Sequence, residues 1–281
     1  HQRRSGVAVG YLAYRAAHVD VDDRRTAIFR ELRRLAHLIG GAAYKLHRHR
    51  LLDRVPCRLL DRLARLADRG LARDHLGDDK AGTAALAADL LTKGTATRSA
   101  EQIAQQVESL GGSIGAGADW DAAFATVTVK ADQIDPALAI LADVARNPVF
   151  AQAEIDRARK QALDGVAVQL KDPGALSGIV ASRTVFGEKA YGNMLSGTVT
   201  SLPKITRDDI TSAYRNAWIP SQAALVVVGD IAQKDATALA QKLFGDWKTG
   251  VHDGVPDGDS ARAAPRVIVV DMPGAGQAGV V

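Results

Sequence analysis

The run Gly111–Lys130, GGSIGAGADWDAAFATVTVK, passes from the end of a helix into a pair of strands. Ahead of it, Ile103, Val107 and Leu110 recur at helical spacing. Ser99 and Gln102 open that stripe as a capping box, and Gly111-Gly112 close it. Residues 113–119 and 122–130 read as strands. In the second, Ala123, Ala125, Val127 and Val129 alternate with Phe124, Thr126 and Thr128, the period of two that a half-buried strand requires. Asp119 and Asp121 flank Trp120; they read as a carboxylate pair or, more plainly, as the turn between the strands.

Outward from this hairpin the pattern is mostly helical. Lys80–Leu91 predicts a buried helix with Ala84, Leu86, Ala87, Leu90 and Leu91 inward, ended by Lys93-Gly94-Thr95. On the other side, helices are expected from about Pro136 to Arg146, from about Gln152 to Lys171 and over roughly Ala175–Val185. The break at Asp172-Pro173 follows because a residue before proline disfavours the α region. A Gly-rich loop spans Gly187–Gly197, and Thr206 with Asp209 opens a helix through Trp218. Ala223–Val228 reads as a buried strand, 232–245 as a helix, and Val267–Val270 as a new strand. The fold class expected is α+β, helices packed on a largely antiparallel sheet. Trp218 and Trp247 are expected as core or interface packing.

The charge distribution divides the chain. Among 281 residues, 47% hydrophobic and 24% charged, the net charge is +4. Residues 1–80 hold sixteen Arg and two Lys against nine Asp and one Glu, a net +8; the remainder carries −4. Six of the seven histidines lie in that first part. Three readings of it stay open. Arg50, Arg54, Arg58 and Arg62 would line one helix face, as in a nucleic-acid-binding module, but Pro56 interrupts the stripe and no binding motif accompanies it. An amphipathic Leu/Arg helix is the second reading, and an out-of-frame translation of GC-rich DNA the third. No nucleic-acid partner is expected. The organisation read from the sequence is an Arg-rich segment over 1–79, a folded domain over 80–248, a linker over 249–265 and the truncated start of a second domain over 266–281.

Several chemistries are excluded. A single cysteine, Cys57, precludes an internal disulfide framework. No run approaches a membrane-spanning length of about 18 apolar residues. His47 and His49 near Cys57 lack further ligands for a zinc site. There is no phosphate-binding glycine loop between a strand and a helix, and no G-x-S-x-G elbow. A start at His1, without a charged lead into an apolar core, reads as a fragment or processed product.

From Lys80 onward the chain resembles the pitrilysin/insulinase family of zinc peptidases, which includes the mitochondrial processing peptidases. The resemblance rests on Gly82-Thr83-Ala84…Lys93-Gly94-Thr95, Val107–Gly112, Asn147-Pro148-Val149-Phe150, Asp172-Pro173 and Ala224–Asp230. Val270–Gln277 is similar to the opening of the family's second, homologous domain. The family's chemistry needs H-x-x-E-H between the first two of these motifs: two histidines on one helix face hold zinc, and the glutamate activates its water. Here the ligand positions are Ala85 and Asp89, the general-base position is Ala88, and the third-ligand position is Gly165, 76 residues after Asp89. With one donor where three are needed, the resemblance implies no catalytic residue, no zinc in this chain and no peptidase activity on its own.

What the resemblance implies instead is a non-catalytic subunit or half of a two-part zinc peptidase, with zinc carried only by a homologous partner. Such a half would help form the chamber and hold an extended peptide by β-augmentation along Ile114, Gly115, Ala116, Gly117 and Ala118, where small residues leave the backbone accessible. The competing reading of those five is packing beneath a neighbouring helix. Two other functions stay open: a purely structural assembly subunit, and a residual metallopeptidase completed by a neighbour's ligands. Bacterial periplasm and cytoplasm are both compatible with the chain.

Overall fold

In the computed structural model, the residues described are 6–13, 78–188, 190–248 and 266–281, with the backbone alone described at 6–13, 78 and 190. The Arg50–Arg62 stripe, His47, His49, Cys57 and the expected linker at 249–265 lie outside them.

A four-stranded antiparallel sheet runs in the order β2-β3-β1-β4. Its strands are β1 (Gly6–Ala13), β2 (Ser113–Ala118), β3 (Ala123–Lys130) and β4 (Ala223–Val228). In β3 the inward set Ala123, Ala125, Val127 and Val129 is buried and the alternating set half-buried, as the period of two requires. Asp119 makes the β2–β3 turn, its carboxylate accepting from the N–H groups of Asp121 at 2.8 Å and Ala122 at 2.6 Å. The carboxylate-pair reading therefore yields to the turn.

Among the described residues seven α-helices accompany the sheet: α1 (Thr83–Asp89), α2 (Ala100–Ser109), α3 (Ile134–Arg146), α4 (Gln152–Gln169), α5 (Pro173–Phe186), α6 (Arg207–Ala217) and α7 (Gln233–Phe244). Capping boxes at Ser99/Gln102 and Thr206/Asp209 start α2 and α6. Asp172 ends the run after α4 in an extended conformation and then caps α5 by accepting the Ala175 N–H at 2.6 Å, with Pro173 at the first helical position. Helix α2 stops on a Schellman turn: Gly111, at φ +69°, donates to Glu108 O and Gly112 to Val107 O. The close approach that follows leaves no room for a side chain at Gly112, whose Cβ would stand 2.3 Å from the Thr128 carbonyl oxygen.

The core lies between the sheet and α1, α3, α4 and α6. Leu90, Leu91, Leu138, Leu141, Ile155 and Ile210 are among its fully buried large side chains. Helix α3 packs on β3, and α1 packs on β2, β3, α4 and α6. Trp218 is buried in this core, and Trp247 packs against it beside Phe244.

Three expectations change. The helix expected over Lys80–Leu91 is α only from Thr83 to Asp89; 3-10 turns at Asp78–Lys80 and Leu90–Lys93 flank it, because Gly82 at φ +98° breaks the helical run. The expected buried strand Ala223–Val228 is half-buried, with Val228 62% exposed, and lies at the edge of the sheet formed by the described strands, β1 being its one neighbour there. Val267–Val270 joins no strand: it lies with the C-terminal residues beside α5, Val267 being 92% exposed. A strand needs a ladder partner, and here the run has none among the described strands. Conversely, β1 falls within the Arg-rich segment where no strand was expected, and it holds the central place between β3 and β4.

Candidate functional site: a ligand-poor helix beside an edge strand

The site is built on α1, α4 and the edge of β2 that no described strand covers. Helix α1 is held at its N-terminus by close backbone contact: a Cβ at Gly82 would meet Gly197 Cα at 2.8 Å, and the Ser201 hydroxyl donates to Ala81 O at 2.7 Å. Its C-terminal exit is fixed by a carboxylate cluster. Asp143 accepts from the hydroxyls of Thr95 (2.6 Å) and Thr97 (2.9 Å), from Arg98 Nη1 (2.6 Å) and from Asn147 Nδ2 (2.9 Å). Burial pushes the Asp143 carboxyl up, but those four donors outweigh it and hold the group below its ordinary range.

On this frame the four motif positions carry almost no donor chemistry. Ala85 is half-buried and Ala88 is fully buried, so neither presents a group to solvent or metal. Asp89 sits at the exposed end of α1. Partial desolvation raises its carboxyl above the ordinary range, with Lys93 pulling the other way. Gly165 is exposed on α4, and nothing lies within 4 Å of where its Cβ would stand. A longer side chain at this position would meet open space. A lone carboxylate does not fit a zinc site, which needs at least three protein ligands. Among the described residues no group of three or more His, Cys, Asp or Glu is placed to hold a metal ion.

The five residues proposed from sequence for peptide contact are brought together on β2, which pairs with β3 and, among the described residues, with no strand on its other side. Their side chains divide between faces. Ile114, Ala116 and Ala118 pack against the core, whereas Gly115 lies over Thr126 and Gly117 over the Phe124 ring. Packing of these side chains beneath α1 leaves the outer backbone edge of β2 unpaired among the described residues, with alternate N–H and C=O groups along it.

One feature of the site escaped the sequence reading. Past the end of β2, a cleft of about 400 Å³ opens between Trp120, the last residue of α4, helix α5 and residues 192–196. Trp120 registered only as a turn residue, because the other walls come from segments more than 45 positions away.

Helices backing a largely antiparallel sheet, with α1 packed on β2, give the architecture for which relatives can be sought. Two family models match the chain: insulinase (peptidase family M16) over residues 75–199, and the peptidase M16 inactive domain over residues 204–280. The chain belongs to the M16 (insulinase) family. It is 28% identical over 174 residues to a protein of Mycobacterium leprae named an uncharacterized zinc protease, covering 62% of this chain and 39% of that one. Likewise it is 27% identical to an uncharacterized zinc protease of Rickettsia felis (56% and 38% covered). With the probable mitochondrial-processing peptidase subunit beta of Arabidopsis thaliana it shares 23% identity, over 59% and 32% of the two chains. This chain thus spans less than half the length of these relatives.

Among solved structures, it resembles a peptidase M16 inactive domain from Pseudomonas fluorescens, with TM-score 0.64, 20% identity and coverage of 91% and 48%. A protease from Helicobacter pylori gives TM-score 0.64 at 15% identity, over 92% and 49%. At these identities the likeness is one of fold. Among the described residues, no helix is long and apolar enough to cross a membrane.

Proposed function

We propose that this chain is a non-catalytic half of a two-part M16 peptidase, completing the chamber and holding extended peptide for a zinc-bearing homologue. The observation that carries this reading is the combination of a kept frame and lost donors. Helix α1 packs against an edge strand, while its chemistry positions hold Ala85, Ala88, Asp89 and, on α4, Gly165. Without metal or base, nothing at these positions lowers the pKa of an attacking water. The β2 edge still offers main-chain hydrogen bonds to an extended peptide, an interaction that tolerates many sequences.

The test is a tagged pull-down from the source cell with zinc measured on the eluate. Co-elution of a homologous chain bearing H-x-x-E-H, one zinc per pair, and chelator-sensitive cleavage of an unfolded peptide only by the pair, are the expected results. Tight stoichiometric zinc with turnover by this chain alone would overturn the proposal. A partner whose cleavage rate is the same with and without this chain would move the assignment to a structural assembly role.

A further inference from the structure

We infer that residues Tyr191–Ser201 form a strap that ties the seating of α1 to the position of the β2–β3 turn, so that a change at one is registered at the other. The inference goes beyond the peptide reading of β2 and stands without it. It begins with α1 itself. Seven residues make about two turns of helix, too few to hold together alone in water, and Gly82 at the start supplies no side-chain cap. The seat of α1 therefore depends on what the rest of the chain sets against Ala81 and Gly82.

What stands there is the far end of the strap. A Cβ at Gly197 would lie 2.7 Å from the Ala81 carbonyl oxygen, and one at Gly82 would lie 2.8 Å from Gly197 Cα. The two backbones thus meet with no room for a side chain between them. The Ser201 hydroxyl donates to the same Ala81 oxygen, and Leu202, fully buried, packs against both glycines.

The near end is bound to the turn. The Tyr191 hydroxyl donates to Asp121 Oδ1, and Trp120 Nε1 donates to Asn193 O at 3.3 Å. From α5, Arg183 Nη1 braces this end by donating to Asn193 Oδ1 at 2.6 Å. Between its ends the strap is closed on itself. The Gly197 N–H donates to Met194 O at 2.9 Å, the Thr198 N–H to Ser201 Oγ at 2.8 Å and the Ser201 N–H to Thr198 Oγ1 at 3.0 Å. A segment so cross-bonded passes a displacement along rather than absorbing it. Helix α1 also packs on β2 along the strand, whereas the strap joins the turn to the first residues of α1.

The test is hydrogen exchange on the full chain with one end of the strap altered and the opposite end read. Tyr191→Phe keeps the ring beside Phe186 and removes the hydroxyl that reaches Asp121. Exchange of the Leu86 N–H, which donates to Gly82 O, should quicken about three- to tenfold, while that of the Ile103 N–H in α2 stays unchanged. Coupling is reciprocal, so Ser201→Ala should quicken exchange of the Ala122 N–H in the turn by a similar factor. Thr198→Ala, which loosens the same end from a half-buried position, gives that reading if Ser201→Ala does not fold. Quickening confined to the altered end would overturn the strap, and so would a response in one direction only. Equal quickening at Leu86 and Ile103 would overturn it as well, being a general loss of stability rather than a link between two places.

Discussion

Replacing Asp143 by alanine tests the frame on which α1 depends. The carboxylate is nearly buried and collects four side-chain donors, three on Oδ2 and one on Oδ1. Removing it strands the Thr95 hydroxyl, on a residue only 6% exposed, at a cost of about 1–3 kcal/mol. Arg98, whose side chain is 26% exposed, recovers part of its hydration, so its loss falls well below that of a fully buried pair. The sum is about 3 kcal/mol, which lowers the melting temperature by roughly 6–12 °C for a domain of this size.

Thermal unfolding at pH 7 measures the loss. Hydrogen exchange at Ala96, whose N–H donates to Asn147 O at 3.0 Å, locates it in the segment after α1. The pH dependence follows from the direction of the shift. A carboxyl held below 3.8 in the folded state contributes stability that is present above that value and lost as pH falls through the lower, folded one. The Asp143→Ala chain should therefore lose the acid-side part of its stability profile that this group supplies. A loss under about 1 kcal/mol, or an Arg98→Ala cost adding in full to that of Asp143→Ala, would refute the cluster as a coupled unit.

Restoring the donors by Ala85→His, Asp89→His and Gly165→Glu should raise zinc affinity at least about 100-fold in a chelator-competition assay, because α1 already packs against α4 and the Gly165 site is open. No gain would mean that the α1–α4 geometry differs from that of a zinc-bearing relative. Phe150, 4% exposed and edge-on to Tyr214 at 5.4 Å between ring centroids, stands at φ +47°. Phe150→Ala should cost about 3–4 kcal/mol by chemical denaturation, and Phe150→Gly no more than that, reversing the usual order because glycine accepts the left-handed backbone. Gly112→Ala should lower the melting temperature sharply, its Cβ meeting backbone at 2.3 Å, whereas Gly115→Ala, with its nearest neighbour at 3.9 Å, should change stability by no more than about 0.5 kcal/mol.

Local chemistry was legible in the sequence wherever the deciding groups sit within a few residues of one another. The capping boxes at Ser99 and Thr206, the Gly111-Gly112 stop and the Asp172-Pro173 break each involve atoms from neighbouring positions, and each stands as read. The alternation in β3 was equally direct, because one face of that strand meets the core along its whole length. The degenerate ligand positions needed no structure either: Ala85, Ala88 and Gly165 bear no donor in any conformation.

What tertiary structure decided is which backbone edge meets which neighbour. Ala223–Val228 and Val267–Val270 are similar apolar runs, yet one is a strand paired with β1 and the other joins none of the described strands. Hydrogen-bonded pairing depends on a distant partner, and β4 finds β1 more than 200 positions away. The cleft beyond Trp120 is of the same kind, since α5, residues 192–196 and the β2–β3 turn meet only when the chain is folded. The sequence by itself determined the family, the caps and the residue types at Ala85, Ala88, Asp89 and Gly165, because these are properties of side chains and their near neighbours. The pairing of β2 with β3, the place of β4 beside β1 and the cleft beyond Trp120 arise from long-range packing, in which each wall is supplied by a segment that carries no sign of the others.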